Sequence, residues 1–313
     1  MNVFINVFLL SVTLCCQPLF AQQRFDAGKA PFSVEVAGVN NSYRTLAIAV
    51  LPAEKVLIKV PNGVDIHAGA GELARSDPGQ WFWQAPSVPG LYPLDFRQNS
   101  PGEMKINVFV MHPASSVKDG YLRGYRIGEY PKTPMRGLKA YLPPAGFVEV
   151  TPENAQTRVS PHFTLGQFVC KQKAPGTSKY LVLRPELFIK LERILQETNA
   201  RGYRSDSFHI MSGYRTPYYN RAIGNKTLYS RHLYGGAADF YIDESPRDGV
   251  MDDLNGDGRI DKRDAGLLFE LVDKLSREQG WPHRGGLGEY GATASHGPFV
   301  HVDSRGYRAR WGH

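Results

Sequence analysis

Ser230-Arg-His-Leu-Tyr-Gly-Gly-Ala-Ala-Asp239 is the stretch on which the fold of this chain turns. His232 and Asp239 lie seven positions apart in it. On a continuous helix that separation is about 10 Å of rise, whereas two donors on one metal ion, each about 2 Å from it, cannot sit much over 4 Å apart. The chain must therefore fold back if the two share a metal. Gly235 and Gly236 permit the reversal, because glycine reaches left-handed backbone conformations without steric cost. The following Ala-Ala-Asp-Phe-Tyr-Ile alternates like a strand, with Asp239 and Tyr241 on one side and Phe240 and Ile242 on the other.

Two further stretches belong with it: Ser212-Gly-Tyr-Arg215-Thr-Pro with Asn220 following, and Gly297-Pro-Phe-Val-His301-Val-Asp303. Together the three resemble the M15 family of zinc D,D-peptidases, which includes D-alanyl-D-alanine carboxypeptidases and murein endopeptidases. The resemblance covers about residues 161–313. It implies an α+β zinc peptidase domain acting on peptidoglycan stem peptides, with His232, Asp239 and His301 as the zinc ligands and Arg215 on the substrate carbonyl or carboxylate. The alternative is a non-catalytic cell-wall or glycan-binding protein that keeps the metal-binding fold.

A hydrolytic zinc takes three N or O ligands and a water, and as the water attacks, a fixed guanidinium offsets the charge growing on the carbonyl oxygen. Asp303 either holds the outer nitrogen of a ligand histidine, positions substrate, or merely closes a strand end. Many family members carry Glu three residues before the last zinc histidine, where this chain has Pro298. Glu289 and His296 remain as candidate general bases. His296 is favoured because it lies just upstream of the ligand strand and a neutral imidazole accepts a proton near pH 7.

A second metal motif follows. Asp253, Asn255, Asp257, Gly258, Ile260, Asp261 and Asp264 match an EF-hand loop, with the Arg259 carbonyl as a further oxygen donor and Gly258 at the sharp turn. Position 12 is Asp264 rather than Glu, as in dockerin-like loops. The expectation is a structural calcium, the alternative an acidic turn without a cation.

The chain has 313 residues, 42% hydrophobic, enough for a sizeable core and for two domains. Residues 1–21 carry no charge and an apolar run, which reads as a secretory signal peptide cut after Ala21. An exported protein, periplasmic or extracellular and without stable membrane insertion once the signal is removed, is expected. Cys15 and Cys16 fall inside that signal, so Cys170 alone would remain, buried and inert. The net charge of +7 suits an anionic wall polymer, or plain solubility. No nucleic-acid partner is expected, and the oligomeric state is left open.

Between residues 22 and 114, short apolar runs separated by Pro-Gly and Asn-Gly turns predict an all-β immunoglobulin-like sandwich of antiparallel strands. Trp81 and Trp83 share a strand face there, as core or as a sugar-stacking platform. Residues 115–160 read as a β-rich connector with no visible chemistry. In the peptidase region, Pro185 opens a helix that Gly202 ends, and a second helix is expected from about Asp264 to Gln279. Phe208-His-Ile-Met-Ser-Gly-Tyr-Arg215 reads as a strand running into a loop, and Phe299–Asp303 alternates like a strand.

Overall fold

The computed structural model describes residues 25–98, 102–278, 281 and 284–312. The expected signal peptide, with Cys15 and Cys16, lies outside them. Nine strands make up the N-terminal region: β1 (Lys29–Val36), β2 (Val39–Tyr43), β3 (Thr45–Val50), β4 (Lys55–Lys59), β5 (Asp65–Ala68), β6 (Glu72–Asp77), β7 (Gln80–Gln84), β8 (Gly90–Gln98) and β9 (Gly102–Val110). They form two sheets, ordered β2-β1-β4-β7-β6 and β3-β9-β8-β5. Period-two patterning drives them: Phe32, Val34 and Val36 of β1 are buried while Ser33 and Glu35 turn outward. One pairing departs from the antiparallel expectation, since β3 and β9 run parallel from Thr45↔Lys105 to Val50↔Val110. The direction of β9 is set by its hairpin with β8, and β3 reaches its other edge free of any such hairpin. Trp83 is fully buried, with its indole N–H donating to the Ala70 carbonyl at 2.9 Å, and Trp81 packs against the same core. These tryptophans are core.

The connector contributes β10 (Gly146–Val150), which pairs with β11 (Lys179–Leu181). Helix α1 (Pro185–Ala200) then buries Leu187, Phe188, Leu191, Ile194 and Leu195, the apolar stripe of its sequence. Strand β12 (His209–Ser212), the short helix α2 (Pro217–Ala222), strand β13 (Ala237–Tyr241), helix α3 (Lys262–Leu275) and strands β14 (Gly286–Tyr290), β15 (Phe299–Asp303) and β16 (Ala309–Trp311) complete the chain. Their sheet is ordered β12-β13-β15-β14-β16, antiparallel except for β14 with β16. This sheet with flanking helices is compatible with the α+β expectation.

Helix α3 begins two residues earlier than its apolar pattern indicates, because Asp261 caps it and Asp264 returns a bond to the Asp261 N–H in a capping box. The apolar pattern of Leu267, Leu268, Leu271, Val272 and Leu275 marks the expected buried face, but Phe269 is buried and Leu267 only half-buried, so the face is rotated slightly. Cys170 is a buried free thiol. No helix among the described residues is long and apolar enough to cross a membrane.

Candidate metal centre

The reversal after His232 takes the form of one 3-10 turn, Arg231–Tyr234, closed by Gly235 at φ 66°. A β-carbon on Gly235 would collide with the Val182 carbonyl, so both the left-handed backbone and the close approach require glycine. The chain then enters β13, where Asp239 pairs directly with His301 of β15. Directly opposed residues of an antiparallel pair point to the same face, which brings the carboxylate to the imidazole.

The three expected ligands converge. Asp239 Oδ1 lies 2.7 Å from His301 Nδ1 and 3.3 Å from His232 Nε2, and the two imidazole nitrogens are 3.3 Å apart. Ligand atoms about 2.0–2.1 Å from a tetrahedral zinc stand roughly 3.3 Å from one another, so an N₂O donor set at this spacing fits the ion. The outer nitrogens fix which atoms face inward. His232 Nδ1 donates to the Gly213 carbonyl at 2.6 Å, and His301 Nε2 faces Asp303 Oδ2 at 3.3 Å. Lone pairs on His232 Nε2 and His301 Nδ1 thus point at the same carboxylate oxygen, an arrangement that calls for a cation. Among the described residues this is the one group of three His, Cys, Asp or Glu side chains whose ligand atoms gather so closely.

Electrostatics agree. Burial pushes His232 below the usual histidine range. Burial acts the same way on His301, but bonds to Asp239 and Asp303 outweigh it and raise that imidazole. Asp239, whose burial alone would raise it, is held well below the carboxylate range by His232 and His301. Asp303 is fully buried and also lowered. His301 and Arg305 overcome its burial, with Arg305 donating from Nε at 2.9 Å and Nη2 at 2.5 Å and the Gly286 N–H at 2.9 Å. Asp303 therefore orients His301 from behind.

Arg215 stands at the end of β12, with Nε donating to Ser212 Oγ at 2.8 Å and Nη2 to Asp239 Oδ2 at 2.5 Å. It opens onto a cleft of about 570 Å³ that also holds His232, Asp239 and His301. Three arginines, Arg215, Arg231 and Arg305, line this cleft against one carboxylate, Asp239. Several walls were not foreseen from the sequence. Met135 and Tyr141 reach in from the connector, where no chemistry was expected, and Tyr290, Phe299, Tyr307 and Trp311 add an aromatic lining. Tyr141 is held by Tyr234 at 5.5 Å between ring centroids and by the Arg231 guanidinium 4.7 Å above its ring. The Trp311 indole packs 5.2 Å from His301 between ring centroids, tilted by 51°, and fills the space that a side chain on Gly288 would take.

The two candidate bases fare differently from the ligands. Glu289 pairs with Val300, not His301, and so points to the other sheet face, where Lys262 of α3 meets it at 3.2 Å. It is removed from the centre by strand parity. His296 does not line the cleft; its ring packs edge-on at 5.0 Å against Phe299, which does, and its Nδ1 lies 2.8 Å from the Gly297 carbonyl oxygen.

The proposed calcium ligands fold onto their own loop. Asp253 accepts from the amides of Gly256, Asp257 and Gly258, Asn255 from Asp257, and Asp257 from Arg259. Asp264 is fully buried and accepts from Leu254, Asn255 and Asp261. Arg263 bridges Asp257 and Asp261, each at 2.7 Å. The carboxylates are not drawn into a shared three-ligand cluster like that of His232, Asp239 and His301, because backbone amides and Arg263 hold them.

Residues 161–256 match the family model described as Peptidase M15. The match contains Arg215, His232 and Asp239, ends before His301, and supports a metallopeptidase. No curated protein and no solved structure matches the chain.

Proposed function

We propose that this protein is an exported zinc peptidase that hydrolyses D-amino-acid-containing peptide bonds in peptidoglycan stem peptides. The observation that carries the reading is the triangle of Asp239 Oδ1, His232 Nε2 and His301 Nδ1, with a guanidinium against the same carboxylate. Zinc held by these three side chains would supply Lewis acidity and an activated water. The chain's own residues do the rest. Asp303 and the Gly213 carbonyl fix the imidazole orientations. Arg215 braces Asp239 with Nη2 and offers its remaining donors to the substrate oxygen on which charge develops. Arg231 makes the cleft attractive to a peptide that carries free carboxylates, whereas Arg305 is committed to Asp303, and the aromatic wall suits the peptide's short aliphatic side chains. We read the paired N-terminal sheets as an immunoglobulin-like sandwich accompanying the peptidase.

One observation favours the second reading, a wall-binding protein without turnover: the cleft walls carry no carboxylate besides the ligand Asp239, and His296 stands outside them. Incubating zinc-loaded protein with cross-linked muropeptides, with and without chelator, separates the two. Chelator-sensitive release of D-alanine or of uncross-linked peptides is expected. Intact muropeptides after prolonged incubation with stoichiometric zinc, together with co-sedimentation on sacculi, would establish the second reading instead.

We also propose that the loop 253–264 takes a structural calcium through Asp253, Asn255, Asp257, the Arg259 carbonyl, Asp261 and Asp264. The oxygen donors, their spacing, and the positive φ at Gly256 and Gly258 support it. Calcium would have to displace Arg263 from Asp257 and Asp261.

A further inference from the structure

On the far side of β15 from the zinc centre is a second cavity to which the peptidase reading gives no role. It measures about 440 Å³, and Val302, whose side chain points away from His301 and Asp303, forms part of its wall. Five cationic side chains line it: Lys190, Arg277, Arg284, Arg308 and Arg310. Glu278 also lines it, and Arg193 engages that carboxylate at 3.6 Å. Asp273 is the shared counter-ion of Arg277, Arg308 and Arg310. Burial opposes its ionisation, yet bonds from Arg310, Arg277 and Arg308 pull its pKa down to about 2. Five cations thus face two carboxylates, and one of those is already engaged from outside.

Lys190 sharpens the imbalance. It is 2% exposed, and its ammonium donates to the backbone carbonyl of Asp303, a neutral acceptor. Burial, helped by Arg310 and Arg305 and opposed by the Asp303 charge, pushes this lysine down to about 8. A buried ammonium without a hydrogen-bonded counter-ion, beside four guanidiniums, is costly unless an anion completes the site. Arginine forks match the oxygens of a tetrahedral oxyanion better than they match a halide. The volume exceeds that of a lone phosphate, and Val272, Leu287 and Val302 offer apolar surface to whatever the phosphate is attached to.

We propose that this cavity binds the phosphate group of an organic phosphate ester or diester. The ligand is either a small soluble ester or one repeat of an anionic phosphodiester polymer. Calorimetric titration of the zinc-loaded protein, at ionic strength held constant with sodium chloride, tests it with inorganic phosphate, glycerol 3-phosphate and a glycerol-phosphate oligomer as titrants. Saturable one-site binding of the phosphate compounds is expected, and the ratio of oligomer to monomer affinity tells which source the site prefers. Arg277→Gln and Arg284→Gln, both at exposed side chains that leave the core intact, should each weaken binding about fivefold or more. Glu278→Gln should strengthen it, a sign that a purely structural role would not produce. Lys190→Met should abolish binding if the variant folds. Heats that never saturate, or affinities unchanged in Arg277→Gln, Arg284→Gln and Glu278→Gln, would overturn the proposal.

Discussion

Arg215 and the three ligand side chains form one hydrogen-bonded unit, so single substitutions there should separate metal binding from turnover. His232→Ala removes a nitrogen donor whose outer face is pinned by the Gly213 carbonyl, and elemental analysis should find the zinc gone; full stoichiometric zinc in that variant would refute the ligand set. Arg215→Lys replaces a planar fork by a point charge. It loses either the brace on Ser212 and Asp239 or the contact with substrate, so turnover should fall by about a hundredfold or more while zinc content holds. Equal activity in the two proteins would remove Arg215 from the mechanism. These residues are legible in the sequence through the motifs that resemble those of M15 peptidases, and the spacing of His232 and Asp239 adds that the chain reverses at Gly235 and returns on a strand. Asp303 follows from the alternation of β15 itself, two residues after His301, but Glu289 is not legible in the same way. Which face it occupies depends on the register between β14 and β15, and the sequence of one strand does not contain the register of its neighbour.

At the scale of elements, two pieces of chain secure the centre from outside the motifs. Strand β16 lays Trp311 over His301, in room left by Gly288, and Asp273 of α3 anchors that strand through Arg308 and Arg310. The folded pKa of Asp273, about 2, lies below its ordinary value of 3.8. Its contribution to stability is therefore complete above about pH 4 and lost as pH falls through about 2. Acid titration followed by Trp fluorescence should show a transition in that window, and Asp273→Asn should show a weakened β16 already at neutral pH. An Asp273→Asn protein with the same acid profile as the unmutated one would exclude this anchor. The calcium loop is the other element. If it closes on a cation, free calcium at a hundred times the dissociation constant adds about 2.7 kcal/mol, and Asp257→Ala should lose most of that gain with zinc stoichiometry intact. Thermal unfolding across a calcium titration decides, and no rise in melting temperature for the unmutated protein would leave Arg263 as the loop's only counter-ion. The sequence pattern displays the loop's oxygens but hides Arg263, whose placement on Asp257 and Asp261 depends on where α3 begins.

At the scale of the whole molecule, the N-terminal sheets and the C-terminal region share one continuous hydrophobic core. The sequence reads them as successive units, because the contacts that join them are distant along the chain. Phe25 stacks on His162 at 4.8 Å, and His162 in turn binds the buried Glu192 of α1 through Nδ1 at 2.7 Å and its backbone N–H at 2.8 Å. Asn107 of β9, almost fully buried, donates from its side-chain amide to the Arg158 carbonyl at 2.8 Å. A joint made this way does not let one side melt while the other stays folded, since separation would expose apolar surface and strand these polar groups. Scanning calorimetry should therefore give a single endotherm whose calorimetric and van't Hoff enthalpies agree. Asn107→Val keeps the bulk of the side chain but leaves the Arg158 carbonyl without its donor, at a cost of about 1–3 kcal/mol. Because the joint is shared, the entire endotherm should move down by a few degrees rather than split. Removing zinc with a chelator should move the same peak, although the proposed ligands His232, Asp239 and His301 all lie in the C-terminal region. Two resolved endotherms, one shifted by Asn107→Val and the other only by the chelator, would show that the regions unfold independently and that the joint does not couple them.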